Sequence, residues 1–209
     1  MEELDPDLGI LQRVAGGDVE SFGVLLQRHE KRLQQLCFRL LGEEEAARDA
    51  VQDVFLKAFR GAAGFKPQAK VSTWLYRIAV NHCLNRLRRQ KLLRFFSFAE
   101  MVQPGQDDGE PMELDPADDR PDAEQALAAR ERWRRTRTAI AALPENQRLV
   151  LMLAKFEGLS QKEIAQVLEI TEGAVESRLV RAMRTLSASD SAAAVSATGR
   201  AQEKGGSRV

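Results

Sequence analysis

Apolar residues recur every three to four positions along nearly the whole chain, and stretches with the two-residue period of a strand are sparse. Such a chain buries its apolar surface only by packing helix on helix, so an all-α fold is expected. Residues 18–41, DVESFGVLLQRHEKRLQQLCFRLL, read as a long amphipathic helix with Asp18 as its N-cap and Gly42 as its stop. The next segment, EEEAARDAVQDVFLKAFRG, begins acidic and ends basic, which suits the helix dipole at both ends. Val51, Val54, Phe55 and Ala58 form its candidate core stripe. Asp49, Gln52, Asp53 and Leu56 form a second stripe, either solvated surface or a docking face for a partner. In KVSTWLYRIAVNHCLNRLRRQK (70–91), helical spacing sets Trp74, Arg77, Asn81, Asn85 and Arg88 along one face. Tyr76, Val80, Cys83 and Leu87 fall on a more apolar one. An aromatic beside Arg and Asn suits unstacked nucleic-acid bases, although Trp74 and above all Tyr76 also read as core aromatics. Arg86, Arg88 and Arg89 at the basic end suit phosphates.

Charge divides the chain further. The 31 basic and 31 acidic residues cancel, but they are segregated. No Asp or Glu occurs from Val54 to Ala99, a span that holds ten Lys and Arg residues. Residues 107–122, DDGEPMELDPADDRPD, then carry eight acids against one Arg, with three prolines and no helical period. This is expected to be a flexible acidic linker. The expected layout is a first helical domain over 1–94, a linker over 95–121, a second helical domain over 122–186 and a disordered Ser/Ala/Gly-rich tail over 187–209. Two basic domains around an acidic tether suit a protein that holds one polyanion at two places.

In the second domain a first helix is expected from about Asp122 to Ala142. Pro144 opens the next, whose apolar stripe is Leu149, Val150, Leu153 and Phe156, and Gly158 closes it. Ser160 and Glu163 have capping-box spacing before a third helix with Ile164, Ala165 and Leu168 inward. After the bend at Glu169–Thr171, Thr171 is placed to cap a last helix with Val175, Leu179, Ala182 and Met183 inward. Helix, short turn, helix is the layout of a major-groove reader. Its outward residues are Thr171, Glu172, Ala174, Glu176, Ser177, Arg178 and Arg181. Arg can bind guanine or phosphate, Glu a cytosine amino group and Ala a thymine methyl. Taken alone, this layout implies DNA binding and little more.

Other classes find little support. No catalytic pairing, glycine-rich phosphate loop or metal-ligand spacing stands out, so no enzyme, cofactor or metal is expected. Cys37 and Cys83 are far apart in sequence and read as structural thiols, with a disulfide or metal site as the weaker alternative, and His29 and His82 are isolated. The start MEELDPD is acidic where a signal peptide is basic, and no apolar run reaches the roughly 20 residues of a membrane span. A cytoplasmic location is expected.

ARDAVQDVFLKAF, STWLYRIAVNHCLNRLRRQ and ALPENQRLVLMLAKFEGLSQKEIAQVLEITEGAVESRLVRAM together resemble the extracytoplasmic-function sigma factors of bacteria, of the sigma-E type. The three motifs stand in family order. The resemblance implies a sigma region two followed by a sigma region four. Asp49, Gln52, Asp53 and Leu56 would dock the clamp helices of the largest subunit of core RNA polymerase. Trp74, Arg77, Asn81, Asn85, Arg88 and Arg89 would read and help open the minus-ten element of promoter DNA. The last helix would read the minus-thirty-five element, and the acidic linker would mimic nucleic acid in polymerase channels. A monomeric free state and an anti-sigma factor partner are also implied. Glu176 departs from the family, whose members often place a basic residue there, so the bases read are open. The rival reading is a dimeric repressor or activator. It leaves the 49–56 stripe and the acidic linker unexplained.

Overall fold

The computed structural model describes residues 5–98, 136 and 138–203. Its regular elements are α1 (Leu8–Ala15), α2 (Val19–Leu41), α3 (Glu44–Gly61), a 3-10 turn (Ala62–Gly64), α4 (Val71–Phe98), α5 (Glu145–Lys155), α6 (Gln161–Leu168) and α7 (Glu172–Glu203). Among the described residues all regular structure is helical, as the periodicity requires. The acidic segment 107–122, and most of the helix expected from Asp122, lie outside the described residues. α1 to α4 form one compact unit, and α5 and α7 pack together in a second.

In the first unit the local signals sit where the side chains demand. Asp18 caps α2, its Oδ1 accepting the Ser21 backbone N–H at 3.1 Å and its Oδ2 the Ser21 hydroxyl at 2.6 Å. These two bonds hold the Asp18 carboxyl below the usual carboxylate value. Gly42 ends α2 at φ 79°, in the left-handed region that glycine enters without a Cβ clash. α3 turns Ala46, Ala47, Ala50, Val54 and Ala58 inward, all at most 3 % exposed. A ridge of small side chains at three- and four-residue spacing lets neighbouring helices approach closely. Larger residues fill the rest of the core: Leu25, Leu33 and Leu36 from α2, and Leu75, Tyr76 and Val80 from α4. Phe22 meets Phe55 and Phe59 edge to face, with ring centroids 6.1 and 5.2 Å apart.

α1 was not foreseen. It buries Ile10, Leu11 and Val14, and the segment before it ties the unit together. Asp5 Oδ2 accepts the Val71 N–H at 2.6 Å, so a residue 66 positions away supplies the N-terminal cap of α4. Asp7 is buried and accepts from Arg28 Nη1 at 2.6 Å, and its other oxygen lies 2.7 Å from His29 Nε2. Asp5 and Asp7 of the acidic start therefore have a structural use, and His29 is not isolated.

Two helices run past their expected ends. α4 continues to Phe98, beyond position 94, because KLLRFFSF contains no Gly or Pro to stop it. α7 continues over 187–203, where a disordered tail was expected; the backbone follows an alanine-rich, proline-free stretch with good helix propensity. In α5, Leu149, Val150 and Leu153 are buried as expected, but Phe156 is 37 % exposed. It stands just beyond the helix end at Lys155, where the helical wheel no longer sets its direction. Met183, expected inward, is 48 % exposed; it lies one residue, or about 100° of rotation, beyond buried Ala182.

Replacing Asp7 by Ala leaves Arg28 and His29 without their shared acceptor at a buried position. Asp7→Ala is expected to lower unfolding stability by about 2 kcal/mol, read as a shift in the urea midpoint at unchanged slope. An unshifted midpoint would show that the N-terminal strap contributes nothing.

Candidate functional site

The inward ridge of α3 dictates what faces outward. Asp49, Gln52, Asp53 and Leu56 are all exposed, Leu56 by 51 %. A single exposed leucine is ordinary on a protein surface, and beside carboxylates it also has the composition of a docking face. Alongside it runs the edge of α4. Arg86 Nη1 lies 4.0 Å from Asp49 Oδ2, and His82 Nε2 lies 3.6 Å from Asp53 Oδ2. Lys57 Nζ donates to His82 Nδ1 at 2.8 Å. Asp53, Lys57, His82, Asn85, Arg86 and Arg89 line an open cavity of about 440 Å³. The two long ion pairs are solvent-exposed at the carboxylate and hold those groups only weakly, so Asp49 and Asp53 remain available to a partner.

Burial first, and then the Lys57 ammonium, push His82 below its ordinary value of 6.5, against the opposing pull of Asp53. The neutral ring accepts from Lys57 through Nδ1 and turns Nε2–H toward Asp53. Sequence reasoning missed Lys57, His82 and Arg86 as a group. Their connection depends on how α3 and α4 align, which no local pattern encodes.

The outward face of α4 has the composition of a nucleic-acid surface. Asn81, Asn85, Arg88 and Arg89 are exposed, and Trp74 and Arg77 are half-buried. Arg88 Nη1 donates to Asn85 Oδ1 at 3.3 Å. Tyr76 is buried, so the core reading of that aromatic holds. Trp74 is set by its neighbours: Phe65 packs on it with centroids 5.1 Å apart, and a Cβ on Gly61 would come within 3.3 Å of its ring. A concavity opens beside it, lined in part by Phe65, Lys66, Thr73, Trp74 and Arg77. Thr73 is 1 % exposed, and its Oγ1 has no hydrogen-bond partner among the described residues. A buried hydroxyl left unpaired is unfavourable by about 1–3 kcal/mol until something bonds to it.

The helix-turn-helix elements are built by local bonds. Gly158 takes φ 68° after α5. After α6, Glu169 takes φ 54°, a conformation uncommon outside glycine, and Ile170 N–H returns to Ala165 O at 3.0 Å. Thr171 Oγ1 accepts the Ala174 N–H at 3.2 Å and so caps α7 as expected. Thr171, Glu172, Glu176, Ser177 and Arg181 are exposed, while Ala174 and Arg178 are half-buried. Val175 and Ala182 are buried, Leu179 is half-buried, and Leu143 and Leu151 pack with Ala182. The polar face of α7 is therefore presented as a unit. No helix among the described residues is long and apolar enough to cross a membrane, and none of their His, Cys, Asp and Glu side chains gather into a metal-binding group.

Comparisons with known proteins match this arrangement. A family model described as Sigma-70 region 2 matches residues 25–92, and one described as Sigma-70, region 4 matches residues 133–186. The chain is 35 % identical to the ECF RNA polymerase sigma factor SigM of Mycobacterium tuberculosis, over 86 % of this chain and 82 % of that one. It is 31 % identical to the ECF RNA polymerase sigma factor SigW of Bacillus subtilis, over 84 % of this chain and 92 % of that one. Among solved structures, CnrH in complex with the cytosolic domain of CnrY is similar at TM-score 0.62 and 29 % identity, covering 90 % of this chain and 99 % of CnrH.

His82 makes a pH prediction. Its folded value lies below its unfolded one, so the unfolded chain takes up the proton first on acidification. The group has no effect on stability well above its unfolded value and lowers stability as pH falls through its folded value. His82→Gln should therefore flatten the decline in stability toward about pH 5, in denaturant titrations run between about pH 5 and pH 8. Parallel profiles for variant and parent would show equal protonation in both states.

Proposed function

The chain belongs to the family of ECF RNA polymerase sigma factors, which bind core RNA polymerase and direct promoter-specific initiation of transcription, and from that membership we propose what each surface does. The exposed stripe Asp49, Gln52, Asp53 and Leu56 docks the clamp helices of the largest polymerase subunit. Trp74, Arg77, Asn81, Asn85, Arg88 and Arg89 read and hold open the minus-ten element. Thr171, Glu172, Ala174, Glu176, Ser177, Arg178 and Arg181 read the minus-thirty-five element. The observation that carries the reading is the two-sided build of the α3–α4 pair. One core turns an acidic, leucine-bearing stripe outward on α3 and an Asn/Arg face outward on α4. One rigid unit can thus hold a protein and a nucleic acid at once.

The concavity beside Trp74 sharpens the proposal. An unstacked base lying on the indole would bring ring nitrogens and exocyclic groups toward Thr73 Oγ1 and Arg77, relieving the unpaired hydroxyl. In this reading the protein is a non-enzymatic initiation factor. It acts in the cytoplasm, is a monomer when free, and is held by an anti-sigma factor until an envelope or stress signal releases it. The acidic linker occupies polymerase channels as a nucleic-acid mimic.

The decisive experiment is run-off transcription with purified protein, core polymerase and a genomic fragment library. New starts that share two spaced upstream elements, and vanish without the protein, are expected. Folded protein with active polymerase and no new starts would overturn the reading. Within that assay Trp74→Ala should weaken promoter opening by about 1–3 kcal/mol with the overall fold retained. Arg178→Ala should weaken upstream-element recognition by about 1–3 kcal/mol, and Asp53→Ala should lower polymerase affinity without touching promoter preference. Unchanged promoter preference for Arg178→Ala would remove that residue from the reading face.

A further inference from the structure

One residue serves the starts of two helices. Asp5 Oδ1 accepts the Asp7 N–H at 3.1 Å and the Asp5 carbonyl accepts the Leu8 N–H at 3.2 Å, so Asp5 closes the turn that opens α1. Its Oδ2 accepts the Val71 N–H at 2.6 Å and caps α4. Val71 is 0 % exposed, so water has no access to take over that bond, and a buried N–H without a partner is unfavourable. An N-cap is ordinarily the residue just before the helix. Here that residue is Lys70, whose side chain carries no acceptor. The cap of α4 is therefore supplied by a segment remote in sequence.

The same strap grips the other end of the connection between α3 and α4. α1 packs against the 3-10 turn Ala62–Gly64, where Ala62 is buried. Residues 65–70 run from that turn to α4, and from them Phe65 reaches Trp74 with ring centroids 5.1 Å apart. Gly61, the last residue of α3, leaves room for the indole. Trp74 itself lies in the first turn of α4, its N–H bonded to the Lys70 carbonyl at 3.1 Å. Residues 5–15 thus bracket the segment that builds the concavity beside Trp74, yet line no part of it. What they contribute there is conveyed through the position of Trp74.

We propose that Asp5 is a positioning residue for promoter opening: through the Val71 N–H it fixes the first turn of α4, and with it the Trp74 ring, in the pose that receives an unstacked base. The opening role rests on the reading of Trp74 given above, whereas the hold of Asp5 on the α4 start does not. Without the carboxylate, the Val71 N–H regains a partner only when the first turn of α4 unwinds toward water. That unwinding carries the indole away from Phe65 before a base arrives, and ordering it again consumes part of the stacking energy. The outward stripe of α3 has no share in the Asp5–Val71 bond, so polymerase affinity does not depend on it.

The test uses the full chain in two assays. In amide hydrogen exchange resolved by NMR, Asp5→Ala should speed exchange at Val71 and Trp74 about tenfold, with Val54 and Ala58 of α3 at the parent's rate. Asp18→Ala, which removes the α2 cap instead, should leave Val71 and Trp74 unchanged. In run-off transcription with core polymerase, Asp5→Ala should lower output from a duplex promoter about fivefold at unchanged polymerase affinity. Asp5→Asn keeps one acceptor oxygen and should restore most of that output. Added to Trp74→Ala, Asp5→Ala should lower output no further, because the group it positions is already gone. Unchanged exchange at Val71 and Trp74, an equal loss of output with and without the Trp74 ring, or a matching loss of polymerase affinity would each overturn the proposal. A parent chain that directs no transcription would sink the sigma-factor reading and the opening role with it, while the exchange rates still decide whether Asp5 holds the start of α4.

Discussion

The alanine ridge of α3 is the constraint from which the first unit follows. Ala46, Ala47, Ala50 and Ala58 leave almost no side-chain volume on that stripe, so α3 sits deep among its neighbours and its rotation about its own axis is fixed. With that rotation fixed, the period of 3.6 residues leaves Asp49, Gln52, Asp53 and Leu56 no place but the outside. Larger residues on the ridge would widen the packing and free the helix to turn. The exposed leucine is therefore a consequence of the buried alanines, and the outward stripe proposed for docking and the core are set by one and the same helix.

α4 obeys the same logic from the other side. Its buried residues, Leu75, Tyr76, Ala79, Val80 and Cys83, bind it to the core, and its exposed ones need no internal partner. The start of the helix is held from far away, by the Asp5 carboxylate on the Val71 N–H. Three residues later comes Trp74, kept in place by Phe65 on one side and by the missing side chain of Gly61 on the other. The stacking platform proposed for Trp74 is useful only if it is rigid before its ligand arrives, because ordering it during binding would consume the affinity it provides. The unsatisfied Thr73 hydroxyl beside it is the kind of cost that a fold keeps at a site and offsets elsewhere.

How much of this was legible in the sequence depends on how far apart the partners lie. Asp18, Gly42, Gly158 and Thr171 were placed by reading a few residues around each, because a cap and the bonds it satisfies are neighbours in the chain. The outward stripes were legible because helical period alone sorts inside from outside. Phe156 and Met183 show where that rule fails: at a helix end, and at the margin of a face, a wheel position no longer decides burial. The links that join helices were invisible. Nothing local marks Asp5 for Val71, Asp7 for Arg28 and His29, or Lys57 for His82.

The zero net charge is consistent with nucleic-acid binding once screening is considered. At physiological ionic strength the field of an exposed charge decays over about 8 Å, while a helix as long as α4 extends roughly 40 Å. Each surface is therefore felt by a partner according to its own charges, not the sum over the chain. The outward face of α4 presents Arg88 and Arg89 with asparagines between, and α3 presents Asp49 and Asp53 beside it. Their opposite signs on adjoining helices would cancel if mixed. Sorted onto two helices that meet at the cavity of Asp53 and Arg89, they offer the proposed polyanion and protein partners places of opposite charge, which disfavours the exchange of one for the other. Segregation is thus the property under constraint, and neutrality is its by-product.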